Sequence, residues 1–162
     1  MTPRLERFNA LGRGEAQERL RDCCGSSEWA RRMAGERPFR DLEDLLETAD
    51  RTWRGLAREE WLEAFRAHPR IGDHSASGRA EKEQSGTRSA PAQILAALAA
   101  ANRRYEKRFG HIFIVCAAGK SAAEMLALLQ ARLGNDPGTE LAVAAEEQRK
   151  ITRLRLQELF EP

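Results

Sequence analysis

The chain has 162 residues, 41% of them hydrophobic and 32% charged, proportions that are typical of one soluble domain with an apolar core. Its 27 Lys and Arg residues nearly balance its 25 Asp and Glu residues, so the net charge of +2 gives no electrostatic case for binding nucleic acid or an anionic membrane. No apolar run approaches the length of a membrane span, and residues 1–7 lack the apolar segment of a signal peptide, which together favour a cytoplasmic protein.

Apolar residues recur at steps of three and four positions along most of the chain, and this periodicity predicts helices. Capping residues such as Ser, Thr and Asp precede many of the periodic stretches, and Gly or Pro follows several of them. The predicted helices cover residues 3–11, 15–24, 28–34, 41–56, 58–67, 91–108, 122–133 and 140–160, with Thr139 as the cap of the last one. We therefore predict an all-α fold, a multi-helix bundle in which residues 1–162 form a single domain.

Two stretches do not follow the helical pattern. Residues 72–90 hold several Gly and Ser residues and few apolar ones, which predicts either a surface loop or a cover over a site, with a short helix at 79–84 as an option. Residues 111–117 are a continuous apolar run with the β-branched side chains of a strand. Because no second strand is evident, we predict a buried extended segment whose main-chain groups need other partners, some of which a polar ligand could supply.

His68 is the first candidate for chemistry. It lies at the end of a predicted helix, where the proline and glycine of residues 67–72 break the pattern and leave the side chain beside loop backbone. Imidazole gives and takes protons near neutral pH. Glu83 and Gln84 follow on the polar stretch, which could fold back over the imidazole. The alternative is a helix end that does no chemistry.

Other chemistries have weaker support. His68, Asp73 and His74 are close in sequence, but HExxH and paired-cysteine spacings are missing, so no metal site is predicted. Cys116 lies in the apolar run, where a cysteine is usually inert. Arg153 and Arg155 alternate with leucines near the end of the last helix; each is either a solvated charge or an anchor for a carboxylate or ureido group.

Short segments along nearly the whole chain match, in order and spacing, those of a known family. They are Asn9-Ala10-Leu11, Cys23-Cys24-Gly25-Ser26, Trp29, Arg37-Pro38-Phe39, Ala67-His68-Pro69-Arg70-Ile71-Gly72, Glu83-Gln84, Asn102, Tyr105, Phe109-Gly110, Phe113 to Ala117, and Leu154-Arg155-Leu156. On these segments the chain resembles the decarboxylases of 2-oxo-4-hydroxy-4-carboxy-5-ureidoimidazoline (OHCU), which complete the breakdown of urate to (S)-allantoin. The resemblance implies an all-helical fold, no cofactor and a homodimer, and it fits the stand-alone form of the family rather than the form fused to a transthyretin-like hydrolase.

The resemblance also implies roles for individual residues. His68 would be the catalytic acid and base, with Glu83 as its essential carboxylate, either orienting the imidazole or binding the substrate. The implied substrate contacts are Pro69, Gln84, Phe113, Ile114, Val115, Cys116, Ala117 and a C-terminal arginine, best matched by Arg155 with Arg153 as the second choice. Residues 80–82 are not assigned, because the family varies in length before the Glu-Gln pair.

The reaction suits a protein without a cofactor. The substrate carboxylate lies β to a ring C=N bond, so the electrons released with carbon dioxide can enter that imine without pyridoxal phosphate, thiamine or a metal. The protein must hold the carboxylate, stabilise charge on the ring and deliver a proton to one face. Two other functions stay open: a lyase or hydrolase that acts on a related ureido compound with the same His and Glu, and a helical adaptor without catalysis.

Overall fold

The computed structural model describes residues 2–72, 83–87 and 90–161, and within these ranges the chain is all-helical. Eight α-helices and one short 3₁₀ turn at Ser85–Thr87 make up its regular structure, and no described residue belongs to a strand. The helices are α1 Pro3–Ala10, α2 Arg13–Arg21, α3 Ser27–Gly35, α4 Leu42–Arg54, α5 Arg58–Arg66, α6 Ala92–Phe109, α7 Ala122–Arg132 and α8 Pro137–Phe160. The prediction of an all-α fold with a non-helical segment near 111–117 is confirmed.

The chain divides into two compact units, which we describe separately. Unit 1 comprises residues 1–64 and 148–162, and unit 2 comprises residues 65–147. The expectation that the whole chain forms a single domain therefore remains a prediction. None of the helices in the described part is long and apolar enough to cross a membrane.

Unit 1 is organised by apolar helix faces and side-chain caps. Thr2, Ser26 and Asp41 each accept a hydrogen bond from the main-chain N–H of the third residue that follows, so they are the N-caps of α1, α3 and α4. Trp29 is fully buried and its indole N–H donates to the Ala49 carbonyl over 3.2 Å. The core is therefore built by the three- and four-residue periodicity that the sequence displays.

Unit 2 has α6 and α7 as its main helices and a core of aliphatic and aromatic side chains. That core contains Ile71, Leu98, Ala101, Tyr105, Phe113, Val115, Ala117, Met125 and Leu129. Several of these residues belong to the loop after α5 or to the segment 111–117, so irregular backbone enters the core of unit 2. Each polar main-chain group buried there needs a partner from elsewhere in the chain or from a ligand.

Two details of the predicted helix α8 are wrong. The helix begins at Pro137, and the Asp136 side chain accepts from the Thr139 N–H over 3.0 Å, so the cap is Asp136 and Thr139 lies in the first turn. Proline is well suited to the first helical position because its missing N–H would have had no partner there.

Candidate active site

His68 lies just beyond the end of α5, as the sequence predicts. Its main-chain N–H donates to the Phe65 carbonyl over 3.1 Å, and the residue is half-buried, as is Pro69. Two residues later, the guanidinium of Arg70 forms paired hydrogen bonds with the Glu106 carboxylate on α6, at 2.9 Å for the closest contacts. The segment that carries the imidazole is thus attached to both neighbouring helices.

Gly72 joins the two predicted catalytic segments. Its N–H donates to Gln84 Oε1 over 3.0 Å. Its φ of +82° lies in the left-handed region that favours glycine, and a Cβ there would come within 3.3 Å of Leu98 Cδ2. The preceding carbonyl, of Ile71, accepts from the Asn102 side chain over 3.1 Å. The loop after His68 is therefore fixed by buried amide side chains from two other parts of unit 2.

The Glu83-Gln84 segment lies against the backbone that follows residues 113–117. Glu83 is half-buried and Gln84 is buried, and the Gln84 carbonyl accepts from both the N–H and the hydroxyl of Thr87 at 2.9 Å. A Cβ on Gly86 would lie 2.1 Å from the Lys120 carbonyl oxygen, which only glycine avoids. Close backbone approach at this position places the predicted catalytic carboxylate segment beside the end of the predicted substrate-binding segment.

Residues 113–117 are all buried and belong to no helix or strand. Charged side chains bond the main chain of alternate residues: Arg132 Nη1 donates to the Ile114 carbonyl over 2.7 Å, and Cys116 donates its N–H to Glu147 Oε1 over 3.0 Å. Lys120 Nζ donates to the Cys116 carbonyl over 2.8 Å. In extended backbone, alternate residues present their polar groups to the same edge, so the Ile114 carbonyl and both main-chain groups of Cys116 are bonded along one edge of the segment.

Val115 lies between these two residues, and its main-chain groups face the opposite edge. Among the described residues, neither its N–H nor its C=O has a hydrogen-bond partner, although the residue is 4% exposed. A buried peptide group normally has a partner, so this edge is suited to a ligand. The sequence predicts that a polar ligand could bond some main-chain groups of this segment. Because side chains already bond the N–H and C=O of Cys116, that prediction now applies to Val115.

A buried polar network supports the edge formed by Ile114 and Cys116. Glu140 is fully buried and accepts hydrogen bonds from Arg132, from the Asn135 amide over 3.0 Å and from the Tyr105 hydroxyl. Burial, together with the hydrogen bond to Glu140 and its negative charge, raises the pKa of Tyr105 far above its ordinary value. The Arg132 guanidinium also lies 4.4 Å from the centre of the Phe113 ring. Through Arg132, the network therefore contacts both residues that precede Val115, namely Phe113 and Ile114.

Sequence reasoning missed this network. Met125, Leu129 and Arg132 are spaced by four and three residues, which puts the arginine on the same buried face of α7. That spacing was the available signal. Glu140 carried none, because a carboxylate in the first turn of a helix ordinarily faces solvent.

The two arginines near the end of α8 have different surroundings within unit 1. Arg153 lies 3.1 Å from the Asp50 carboxylate, which Arg149 also approaches at 3.4 Å. Arg155 donates from Nη1 to the Cys23 carbonyl over 3.3 Å. Next to it, burial raises the pKa of the Cys24 thiol to about 12, so this cysteine is a neutral core residue.

The described residues contain no group of three or more His, Cys, Asp or Glu side chains arranged to hold a metal ion. Asp73 and His74, which the sequence brought close to His68, lie outside the described residues, as do residues 79–82 of the optional short helix. His68, Pro69, Glu83, Gln84 and residues 113–117 all belong to unit 2, whereas Arg153 and Arg155 belong to unit 1.

Comparison with known proteins gives one consistent family. A family profile described as OHCU decarboxylase matches residues 9–157. The uric acid degradation bifunctional protein TTL of Arabidopsis thaliana is 42% identical over 146 residues, covering 85% of this chain and 45% of that protein. The 2-oxo-4-hydroxy-4-carboxy-5-ureidoimidazoline decarboxylase of Amia calva is 33% identical over 132 residues, covering 77% of this chain and 75% of that one. The chain thus spans less than half of the Arabidopsis protein.

A solved structure agrees with the sequence comparisons. The crystal structure of an OHCU decarboxylase in the presence of (S)-allantoin superimposes with a TM-score of 0.82 at 40% identity, covering 90% of this chain and 99% of the other. The two chains therefore share one fold over most of their length.

Proposed function

The chain belongs to the OHCU decarboxylase family, and we propose that it is a carboxy-lyase that converts OHCU to (S)-allantoin and carbon dioxide without a cofactor, the last step of urate degradation. The observation that carries the proposal is the hydrogen bond from the Gly72 N–H to Gln84 Oε1, which joins the segment of His68 to that of Glu83. This bond supports the proposal that two protonatable side chains from separate parts of the sequence, His68 and Glu83, act at one site.

The proposed reaction begins with the break of the bond between the carboxylate and the ring. The electron pair forms a C=C bond to the neighbouring imine carbon, and the π pair of the C=N bond moves to the ring nitrogen, which takes up a proton. The hydroxyl group on the carbon that lost carbon dioxide then releases its proton as a ring carbonyl forms, and the neighbouring carbon, which bears the ureido group, receives one. We assign the proton transfer to this carbon to His68, because a proton donor held on one side of the ring sets the (S) configuration.

Glu83 and Gln84 have distinct proposed roles. Glu83 orients the imidazole or binds the hydroxyl or ureido group of the substrate. The Gly72 N–H requires an acceptor, which fixes the Gln84 amide with Oε1 toward the loop and leaves Nε2 as the donor toward the ligand. Pro69 supplies a rigid apolar contact beside the imidazole.

We propose that the segment 113–117 recognises the substrate by hydrogen bonds to its polar groups. The N–H and C=O of Val115 form a donor and acceptor pair that matches a ureido or ring amide group, which offers a carbonyl and an N–H side by side. The other proposed contacts of this segment are Phe113, Ile114, Cys116 and Ala117. Cys116 would contribute its side chain, because its main-chain groups are already bonded.

Arg155 is proposed to bind the substrate carboxylate or ureido group. Arg153 is the less suitable candidate because its guanidinium is paired with Asp50. We expect Arg155→Met to raise KM or abolish turnover and Arg153→Met to retain most of it. The opposite result would move the role to Arg153.

The deciding experiment is a coupled assay with OHCU made fresh from urate by urate oxidase and hydroxyisourate hydrolase. Circular dichroism should show rapid formation of (S)-allantoin, in the presence of a chelator. His68→Asn and Glu83→Ala should lose most turnover and still unfold cooperatively, while Glu59→Ala, at an exposed site on α5, should match the wild type. Racemic product formed no faster than spontaneous decay would contradict the proposal and favour another ureido substrate or an adaptor.

We also propose that the protein is a cytoplasmic homodimer. Both statements rest on the resemblance to the family. Light scattering after size-exclusion chromatography should give twice the mass of the chain, and cell fractionation should recover the protein with cytoplasmic markers. A monomeric mass or recovery with membranes would contradict them.

A further inference from the structure

Side chains bond Ile114 and Cys116 along one edge of residues 113–117, and these bonds determine which way the main-chain groups of Val115 face. An isolated extended segment has no neighbouring strand to fix its register, so its main chain can rotate unless other groups bond it. Here Arg132, Lys120 and Glu147 take the place of a strand by bonding Ile114 and Cys116. Of these three side chains, Arg132 is the most buried, at 10% exposed.

We propose that Arg132, held by Glu140 and Tyr105, is a positioning residue that fixes residues 113–117 so that the main-chain N–H and C=O of Val115 face the substrate. The part of this inference that concerns the substrate rests on the proposed function. The part that concerns the segment stands on the contacts alone.

The contacts of Arg132 restrain two successive residues. Nη1 donates to the Ile114 carbonyl over 2.7 Å, while the guanidinium carbon lies over the Phe113 ring, 4.4 Å from its centre. The Tyr105 ring contacts Phe113 from another direction, with ring centres 5.3 Å apart and planes nearly perpendicular. Rotation of the peptide between Ile114 and Val115 would break this hydrogen bond, and the ring contacts hold the residue before it.

Glu140 restrains Arg132 in turn. Arg132 donates from Nε to Glu140 Oε1 over 3.2 Å and from Nη2 to Oε2 over 2.6 Å, a forked geometry that fixes the plane of the guanidinium. Tyr105 and Asn135 donate to the same carboxylate, and these hydrogen bonds fix the side-chain conformation of Glu140. Apolar residues of similar size often stabilise a fold as well as a buried ion pair does. Stability alone therefore does not explain the Arg132–Glu140 pair, and we infer that it holds the backbone in position.

The test needs a variant that does not leave one charge buried alone. Arg132→Met combined with Glu140→Gln removes both charges, and the new amide can still accept from Tyr105. Tyr105→Phe removes one hydroxyl and keeps the Arg132–Glu140 pair. Arg103→Met, at an exposed position on α6, is the matched control for the loss of an arginine.

Three measurements separate positioning from general stability. They are KM and kcat in the coupled assay, the Kd of (S)-allantoin by calorimetry, and amide hydrogen exchange of the peptide that spans 111–118. In the double variant, we expect KM and Kd to rise about tenfold with kcat within about threefold, because substrate and transition state lose the same contact. Exchange in the peptide should accelerate, and Arg103→Met should match the wild type in all three measurements.

A folded double variant with unchanged exchange and unchanged Kd would overturn the proposal, even if it melts earlier. If the double variant does not fold, Tyr105→Phe decides by the same readouts, with an expected rise in KM of about threefold and faster exchange. If the wild-type protein neither decarboxylates OHCU nor binds (S)-allantoin, the proposed function fails. Hydrogen exchange then decides the positioning role by itself.

Discussion

Buried polar side chains serve different purposes in the two units. In unit 1 they are neutral, and three of them bond within or next to their own helices: Ser26 caps α3, Thr48 donates to the Asp44 carbonyl, and Gln148 donates to Thr152. In unit 2 they bond backbone that lies outside any helix. Asn102 holds the Ile71 carbonyl and Gln84 holds the Gly72 N–H.

The two units also differ in the charge of their buried side chains. Among the described residues, the buried charged side chains are Arg132 and Glu140, both in unit 2. A helix satisfies its own main chain, so a unit built from helices can bury apolar faces alone. A unit that brings loops into its core must supply donors and acceptors for them, and it gains loop backbone in fixed positions, where binding groups are commonly found. The polar interior therefore marks the half of the molecule where the candidate site lies.

The largest expected effect on stability comes from breaking the buried pair in unit 2. Arg132→Met leaves the Glu140 carboxylate buried without its cation, which should lower the free energy of unfolding by about 3–5 kcal/mol. The equivalent change in unit 1, Arg153→Met, removes a side chain that is 34% exposed from its pair with Asp50. It should lower the free energy by less than about 1 kcal/mol.

Urea unfolding followed by circular dichroism measures both values under the same conditions. Arg149 still approaches Asp50 in the unit 1 variant, which keeps that carboxylate paired. Equal losses in the two variants would mean that burial of charge does not distinguish the units, and the contrast drawn above would fail.

The regular part of the fold was predictable from sequence for a simple reason. Helix periodicity and capping are local, and Ser26 and Asp41 cap α3 and α4 as their sequence neighbours suggest. The error at Thr139 has an equally local cause. Asp136 and Thr139 are both good caps, and the choice between them depended on Pro137 occupying the first turn.

The site was predictable only in part. His68, Glu83 and residues 113–117 stand out by residue type or by a break in the periodicity, whereas Arg132 and Glu140 resemble surface charges in a sequence. Their roles depend on contacts between distant positions, such as the 18 residues that separate Arg132 from Ile114. Residue patterns indicate which groups carry chemistry, but the groups that hold them in place are visible only in three dimensions.

A pair of glycine substitutions tests the contrast through the backbone. In unit 2, Gly86→Ala would put a Cβ 2.1 Å from the Lys120 carbonyl oxygen, so the backbone must move and about 1–3 kcal/mol of stability should be lost. Turnover should fall as well, because Glu83 and Gln84 move with it. In unit 1, Gly14→Ala on α2 meets no atom within 4 Å and should raise stability by about 0.5–1 kcal/mol, since alanine favours a helix.

Thermal and urea unfolding give the stability difference, and the coupled assay gives turnover. Gly14→Ala should retain wild-type turnover, which makes it the control for a substitution of the same size. A Gly86→Ala variant with native stability and activity would show that the approach to Lys120 is not a constraint on the site.

The smallest expected effect is a loss of stability in alkali, which each unit contributes through one buried acid. Burial raises the pKa of Cys24 from 9.0 to about 12 in unit 1, and burial with the Glu140 contact raises the pKa of Tyr105 above its ordinary 10.0 in unit 2. The folded protein thus holds both protons more tightly than the unfolded chain does. Stability from each group is complete below its unfolded pKa and is lost as the pH rises above it.

The two contributions can be separated because they begin at different pH. The free energy of unfolding should decline by up to about 1.4 kcal/mol per pH unit for each group. Cys24→Ala should flatten the decline from about pH 9 upward, and Tyr105→Phe only above about pH 10. Tyr105 is the single tyrosine of the chain, so the near-ultraviolet absorbance of tyrosinate reports on it alone. That absorbance should appear together with unfolding. Ionisation at the ordinary pKa while the protein stays folded would mean that the Tyr105 hydroxyl is not held by Glu140, and the polar interior of unit 2 would lose one of its donors.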